Sequence, residues 1–105
     1  MGKAQRAKGR RGETICKQLL TDRDFTILAD TSAGVSQADL LVQDEMGTVF
    51  QVECKNTKII NVPAYRKQAR EQAGRNNWML LCKIDGTRSW LVMGKDRDET
   101  IWREK

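Results

Sequence analysis

Histidine is absent from this 105-residue chain, which removes the commonest general base and any imidazole-ligated metal. Catalysis here would have to use carboxylates, Lys, Tyr or a metal held by oxygen. Cysteine is scarce: Cys16, Cys54 and Cys82 form an odd, widely spaced set without a C-x-x-C pair, which argues against a disulfide framework and a zinc site. They read as reduced, buried, small apolar side chains. No apolar run approaches the roughly 20 residues that a membrane span requires. The N-terminus lacks the apolar stretch and cleavage site of a secretory signal, so a cytoplasmic location is expected. At this length two independent cores would each be too small to be stable, which leaves one domain.

Acids are missing from the start of the chain. Lys3, Arg6, Lys8, Arg10 and Arg11 all precede the first one, Glu13, so the formal net charge of +5 sits entirely in a basic arm over residues 1–11. A single domain over 12–105 follows, balanced in charge. A basic arm leading into a helix is the electrostatic footprint of phosphate contact, and the other reading is a solvated tail.

After the arm, Glu13, Cys16, Lys17 and Leu20 recur at i, i+3, i+4 and i+7, with Ile15 and Leu19 beside them. The spacing predicts an amphipathic helix over about residues 10–22, with Glu13 on its inward face. An inward carboxylate needs a reason. Phe25 to Ala29 reads as a strand, residues 30–36 as a polar loop, Gln37 to Val42 as a second strand and Thr48 to Lys55 as a third, the last two forming a hairpin around Asp44-Glu45-Met46-Gly47. Alternation puts Phe50, Val52 and Cys54 on one face of the third strand and Gln51, Glu53 and Lys55 on the other. The only proline, Pro63, suits the first turn of a helix that Asn61 caps and that runs to about Arg75. Trp78 to Ile84 and Ser89 to Met93 read as a second hairpin, and residues from Gly94 onward as a charged tail anchored by Ile101 and Trp102. Helix, three strands, helix, two strands is the order of an α/β fold, a mixed sheet flanked by helices.

Asp39 is set in an otherwise apolar segment, between Ala38 and Leu40-Leu41-Val42, a costly position for a lone carboxylate. The hairpin can bring it beside Glu53-Cys54-Lys55. Two carboxylates and the Cys54 backbone carbonyl form a hard oxygen site suited to Mg²⁺ or Mn²⁺, and Lys55, on the same face as Glu53, can orient or deprotonate a nucleophile or offset charge on a phosphate. Glu13 is the further acid that would support the metal. Lys58, Arg66, Lys67 and Arg70 lie nearby in sequence, as phosphate contacts or as an ordinary wet surface. Trp78 and Trp90 read as core residues of the sheet rather than base-stacking platforms.

From about Lys8 to Met93 the chain resembles the PD-(D/E)XK nuclease superfamily, and within it the small Holliday-junction resolvases of archaea and phages. Glu13 of Gly12-Glu13-Thr14-Ile15 matches the acid on the first helix, Asp39 the motif aspartate, and Glu53 and Lys55 the E-x-K pair. The loop Thr31-Ser32-Ala33-Gly34 looks like the family's small-residue loop near the junction, and Tyr65 and Gln68 match an aromatic residue and a glutamine on the helix after the lysine strand. Ala38 stands where the motif has proline. The resemblance implies a restriction-endonuclease-like fold and catalytic residues Glu13, Asp39, Glu53, Lys55 and Gln68. It implies branched DNA as substrate and cleavage to a 5′-phosphate and a 3′-hydroxyl. Contacts to DNA would come from Lys3, Arg6, Lys8, Arg10, Arg11, Ser32, Lys58, Tyr65 and Arg66. Paired symmetric incisions would call for a homodimer. Two alternatives stay open: a nicking or restriction-like nuclease acting on another DNA shape, and a non-catalytic DNA-binding module.

Overall fold

The computed structural model describes residues 3–30, 39–56 and 61–105, with side chains from residue 11 onward. Eight elements follow one another: α1 (Lys3–Thr21), β1 (Thr26–Asp30), β2 (Leu40–Gln43), β3 (Val49–Lys55), α2 (Val62–Ala73), β4 (Asn77–Lys83), β5 (Ser89–Gly94) and β6 (Arg97–Arg103). The strands form one sheet in the order β1-β2-β3-β4-β5-β6. Only β3 and β4 run parallel; every other neighbouring pair is antiparallel. A parallel pair needs a crossover, which a hairpin cannot supply. Helix α2 supplies it, starting where Asn61 Oδ1 accepts the Ala64 N–H at 3.2 Å with Pro63 in the first turn.

The two helices cover opposite faces. In the β3–β4 register Val52 lies beside Met79 and Glu53 beside Leu80, and because side chains alternate, the two pairs point to opposite sides. Val52 and Met79 join Cys16, Leu19 and Leu20 of α1 in the larger core, together with Leu40, Val42, Leu81 and Trp90. Leu80 joins Ala69 and Ala73 of α2 in the smaller one, with Trp78, Cys82 and Met93. The result is a mixed sheet between two helices. Among the described residues no helix is long and apolar enough to cross a membrane.

Three boundaries differ from the sequence reading. Helix α1 begins at Lys3, so the basic arm is continuous with the helix that carries Glu13; its Lys, Arg, Ala and Gln residues are all good helix formers. Strand β2 begins at Leu40, one residue after Asp39. The charged tail from Gly94 is a sixth strand: β6 exposes every residue but Trp102, so it lacks the two-residue alternation that betrays a half-buried strand. It is an edge strand, where charged side chains discourage pairing with another chain.

Candidate active site

The C-terminal end of β3 gathers the carboxylates. The Asp39 N–H donates to the Val52 carbonyl at 3.1 Å, extending the β2–β3 ladder by one step beyond Leu40. The Asp39 side chain then takes the next position in that ladder: its Oδ2 accepts the Cys54 backbone N–H at 2.8 Å. A carboxylate bonded in this way is held at a fixed point beside the strand, next to Glu53.

Glu53 is the one charged residue among the described residues that is buried, at 8% exposure. Burial is the main cause that pushes its carboxyl up to about 8; the negative charge of Asp39, a side-chain hydrogen bond with Asp39 and the charge of Glu13 add to the rise, while Lys55 opposes it. A buried acid beside a second acid keeps its proton because two anions in a poorly solvated site repel. Two acids from other parts of the chain therefore act on Glu53: Glu13 from α1 and Asp39, just before β2.

Gly12 accounts for the approach of α1. It is buried, and a Cβ at this position would lie 2.7 Å from the Asn56 Cβ, closer than packed carbon atoms tolerate. The missing side chain lets α1 cross the end of β3 at contact distance, which brings the next residue, half-buried Glu13, toward Glu53. On the same side of α1, Cys54 faces Cys16, and its thiol is pushed well up by a hydrogen bond with Cys16 and by burial. The cysteines are free; Cys16 and Cys82 are buried, as the sequence suggested, whereas Cys54 is half-buried.

Lys55 occupies the α2 side with Glu53. Its register partner on β4 is Cys82, and its Nζ lies 5.1 Å from the centroid of the Tyr65 ring. The ring face attracts the ammonium, so α2 steers Lys55 over the strand end. Gln68 is exposed on α2, and no contact among the described residues ties it to the carboxylates. Arg66 turns toward the β6 edge of the sheet: its guanidinium pairs with Glu99 of β6, and its Nε reaches the Met93 sulfur at 3.4 Å. Arg11 is exposed. Ser32 and Lys58 lie outside the described residues, as do the side chains of Lys3, Arg6, Lys8 and Arg10.

Among the described residues no three acidic or thiol groups stand close enough together to hold a metal ion as they are. The donor chemistry nonetheless suits a hard cation. A buried glutamate that keeps its proton because burial and anionic neighbours both oppose its charge is a site where a divalent ion can replace that proton. Asp39 and Glu53 offer oxygen ligands, which Mg²⁺ and Mn²⁺ prefer. Sequence reading missed Gly12 as a packing residue. The available signal was a glycine inside an amphipathic helix, where it costs about 1 kcal/mol relative to alanine. Comparison with family models, with curated proteins and with solved structures found no match.

Proposed function

We propose that this chain is a metal-dependent DNA endonuclease with a restriction-endonuclease-like fold, and that it resolves four-way junctions by paired phosphodiester hydrolysis. The observation that carries this reading is the meeting of buried Glu53 with Asp39 and Lys55 at one strand end, with the helix bearing Glu13 docked against it through Gly12. Asp39, Glu53, the Cys54 carbonyl and Glu13 would hold Mg²⁺ or Mn²⁺. The cation, when bound, supplies positive charge to the scissile phosphate and makes water a better nucleophile.

The residues of the chain divide the remaining work. Asp39, fixed by the Cys54 N–H, keeps one carboxylate oriented without help from a flexible rotamer. Glu53 gives up its proton as the site becomes cationic and then contributes a full negative charge. Lys55, drawn toward Tyr65, stands where it can offset the charge that builds on the phosphate during in-line attack. The bond from phosphorus to the 3′-oxygen breaks, leaving the 5′-phosphate and 3′-hydroxyl that the family resemblance implies. Lys3, Arg6, Lys8, Arg10 and Arg11, along a helix leading into the site, neutralise phosphates of the bound DNA. Gln68 belongs to this reading as a substrate-side residue on α2, and a cytoplasmic homodimer would present two such sites to the two continuous strands of a junction.

The test is a cleavage panel of four-way junction, flap, linear duplex and single-stranded DNA, each with Mg²⁺ or Mn²⁺. Paired nicks in the junction, at rates well above those on duplex, are expected. Equal cleavage of linear duplex would make the chain a restriction-like nuclease, and junction binding without cleavage of any form would make it a binding module.

A further inference from the structure

A second cationic site lies on the other side of α2. Arg66 and Arg70, one helical turn apart on α2, and Lys95, in the short turn between β5 and β6, line a cavity of about 280 Å³. The turn is tight: Asp96 has a φ of 58°, in the left-handed region. The strands close tightly at this end, since a Cβ at Gly94 would meet the Trp78 carbonyl oxygen at 2.8 Å and the Arg97 Cδ at 3.2 Å.

The cations differ in how they are satisfied. Arg66 is neutralised by Glu99. Lys95 donates to the Arg75 carbonyl at 3.2 Å, and Arg97 reaches the Met79 sulfur at 3.5 Å, with its guanidinium 5.9 Å from the Phe25 and Phe50 ring centroids. These partners are uncharged. Among the described residues no carboxylate forms an ion pair with Arg70, Lys95 or Arg97, although Asp96 lines the same cavity. Arg97 sends its guanidinium to the α1 face, beside Met79, Phe25 and Phe50, which leaves Arg70 and Lys95 as the cations of this concavity without a carboxylate in an ion pair; low-dielectric walls concentrate their positive potential. An arginine fork beside a lysine suits a tetrahedral phosphate oxyanion.

We propose that this cavity binds a backbone phosphate of the DNA, remote from the cleaved bond. The choice of DNA as the source of that phosphate rests on the nuclease reading. Trp78, in the cavity wall, precedes Cys82, the partner of Lys55, by four residues of β4, which separates the two sites by about 13 Å along the strand. At about 3.4 Å of helix rise per phosphate of one strand, that span corresponds to roughly four nucleotides. The cavity would then fix the direction in which a DNA arm leaves the active site.

The experiment is a binding titration of a four-way junction in Ca²⁺ over a range of salt, comparing the wild-type chain with the Arg70→Gln, Lys95→Gln double variant. The slope of log K against log salt is expected to become shallower by about 0.9, the loss of one phosphate contact. The charge-keeping pair Arg70→Lys, Lys95→Arg is expected to retain the parental slope, and circular dichroism melting of both variants confirms that they fold. A parallel titration with inorganic phosphate, followed through the backbone amide NMR signals of Lys95 and Arg97, separates free anion from DNA. Phosphate-induced shifts with an unchanged DNA slope would overturn the proposal, because the cavity would then be a small-anion site. An unchanged slope without shifts would overturn it as well. A shallower slope in a protein that cleaves no DNA would leave this site standing and remove the nuclease reading, whereas junction cleavage with an unchanged slope would do the reverse.

Discussion

Val52 and Glu53 are consecutive residues of β3 and both are almost fully buried, yet the two faces they point to are built on different chemistry. On the α1 side Val52 is surrounded by Leu40, Val42, Met79, Leu81 and Trp90, and burial alone is favourable there because apolar area leaves water. On the α2 side the apolar core is carried by β4 and β5, and β3 contributes Gln51, Glu53 and Lys55 instead. There burial opposes the charged form, and Glu53 keeps its proton to about 8. One strand thus serves stability with one face and holds a strained set of charges with the other. The difference implies that substitutions on the two faces should act with opposite sign on folding and with opposite selectivity on activity.

The largest expected effect is on the apolar face. Leu81→Ala removes a fully buried side chain from the larger core and should cost about 2–5 kcal/mol in urea unfolding, the usual loss when a packed leucine is truncated. A cost near zero would mean that the α1 face is loosely packed and that the contrast between faces is false.

On the polar face the sign reverses and depends on pH. Because the folded-state carboxyl of Glu53 is raised from 4.5 to about 8, the native chain binds more protons than the unfolded chain between those values. Stability of the metal-free protein should therefore fall as pH rises across that window, by on the order of 2–4 kcal/mol. Burial of Glu53 sets most of the fall, with Asp39 and Glu13 adding to it and Lys55 opposing it. Glu53→Gln has no proton to lose, so it should flatten the fall and leave the variant more stable than the parent at pH 8 to 9. Urea melts at several pH values check this; a Glu53→Gln variant that is less stable throughout would make the glutamate a structural residue.

Lys55→Ala should leave folding nearly unchanged and lower single-turnover cleavage under saturating DNA by about 10², the loss typical of one preorganised electrostatic group. Junction affinity measured in Ca²⁺ should change little. Equal losses in the two assays would mean that Lys55 grips ground-state phosphate and that the α2 face is a binding surface.

Much of this arrangement was legible in the residues themselves. The inward face of α1, the β2–β3 hairpin and the side chosen by Glu53 and Lys55 all follow from periodicities of 3.6 and 2, which report burial directly. The Pro63 and Asn61 start of α2 was legible because capping is local chemistry. What remained hidden depends on contacts between distant segments. Strand β6 exposes almost every side chain, so only its pairing with β5, which sets Trp102 beside Trp90, identifies it. The Asp39 bond to the Cys54 N–H replaces a ladder bond with a side chain, and no pattern of hydrophobicity encodes that. Arg66 reads as one of several cations on α2, and its pairing with Glu99 of β6 appears only in the fold. Gly12 reads as a weak point in a helix until Asn56 is seen to occupy the space its side chain would fill.

The central claim is that Glu53 and Asp39 form a cation-dependent catalytic pair, and single-turnover cleavage of a four-way junction in Mg²⁺ across pH tests it most directly. The parental rate should rise with pH and level off at a pH below the metal-free value of about 8, moving lower as Mg²⁺ is raised, as Glu53 loses the proton that competes with the cation. Glu53→Gln and Asp39→Asn should show no cleavage at any pH while remaining folded. Either amide variant cleaving at the parental rate would contradict the account.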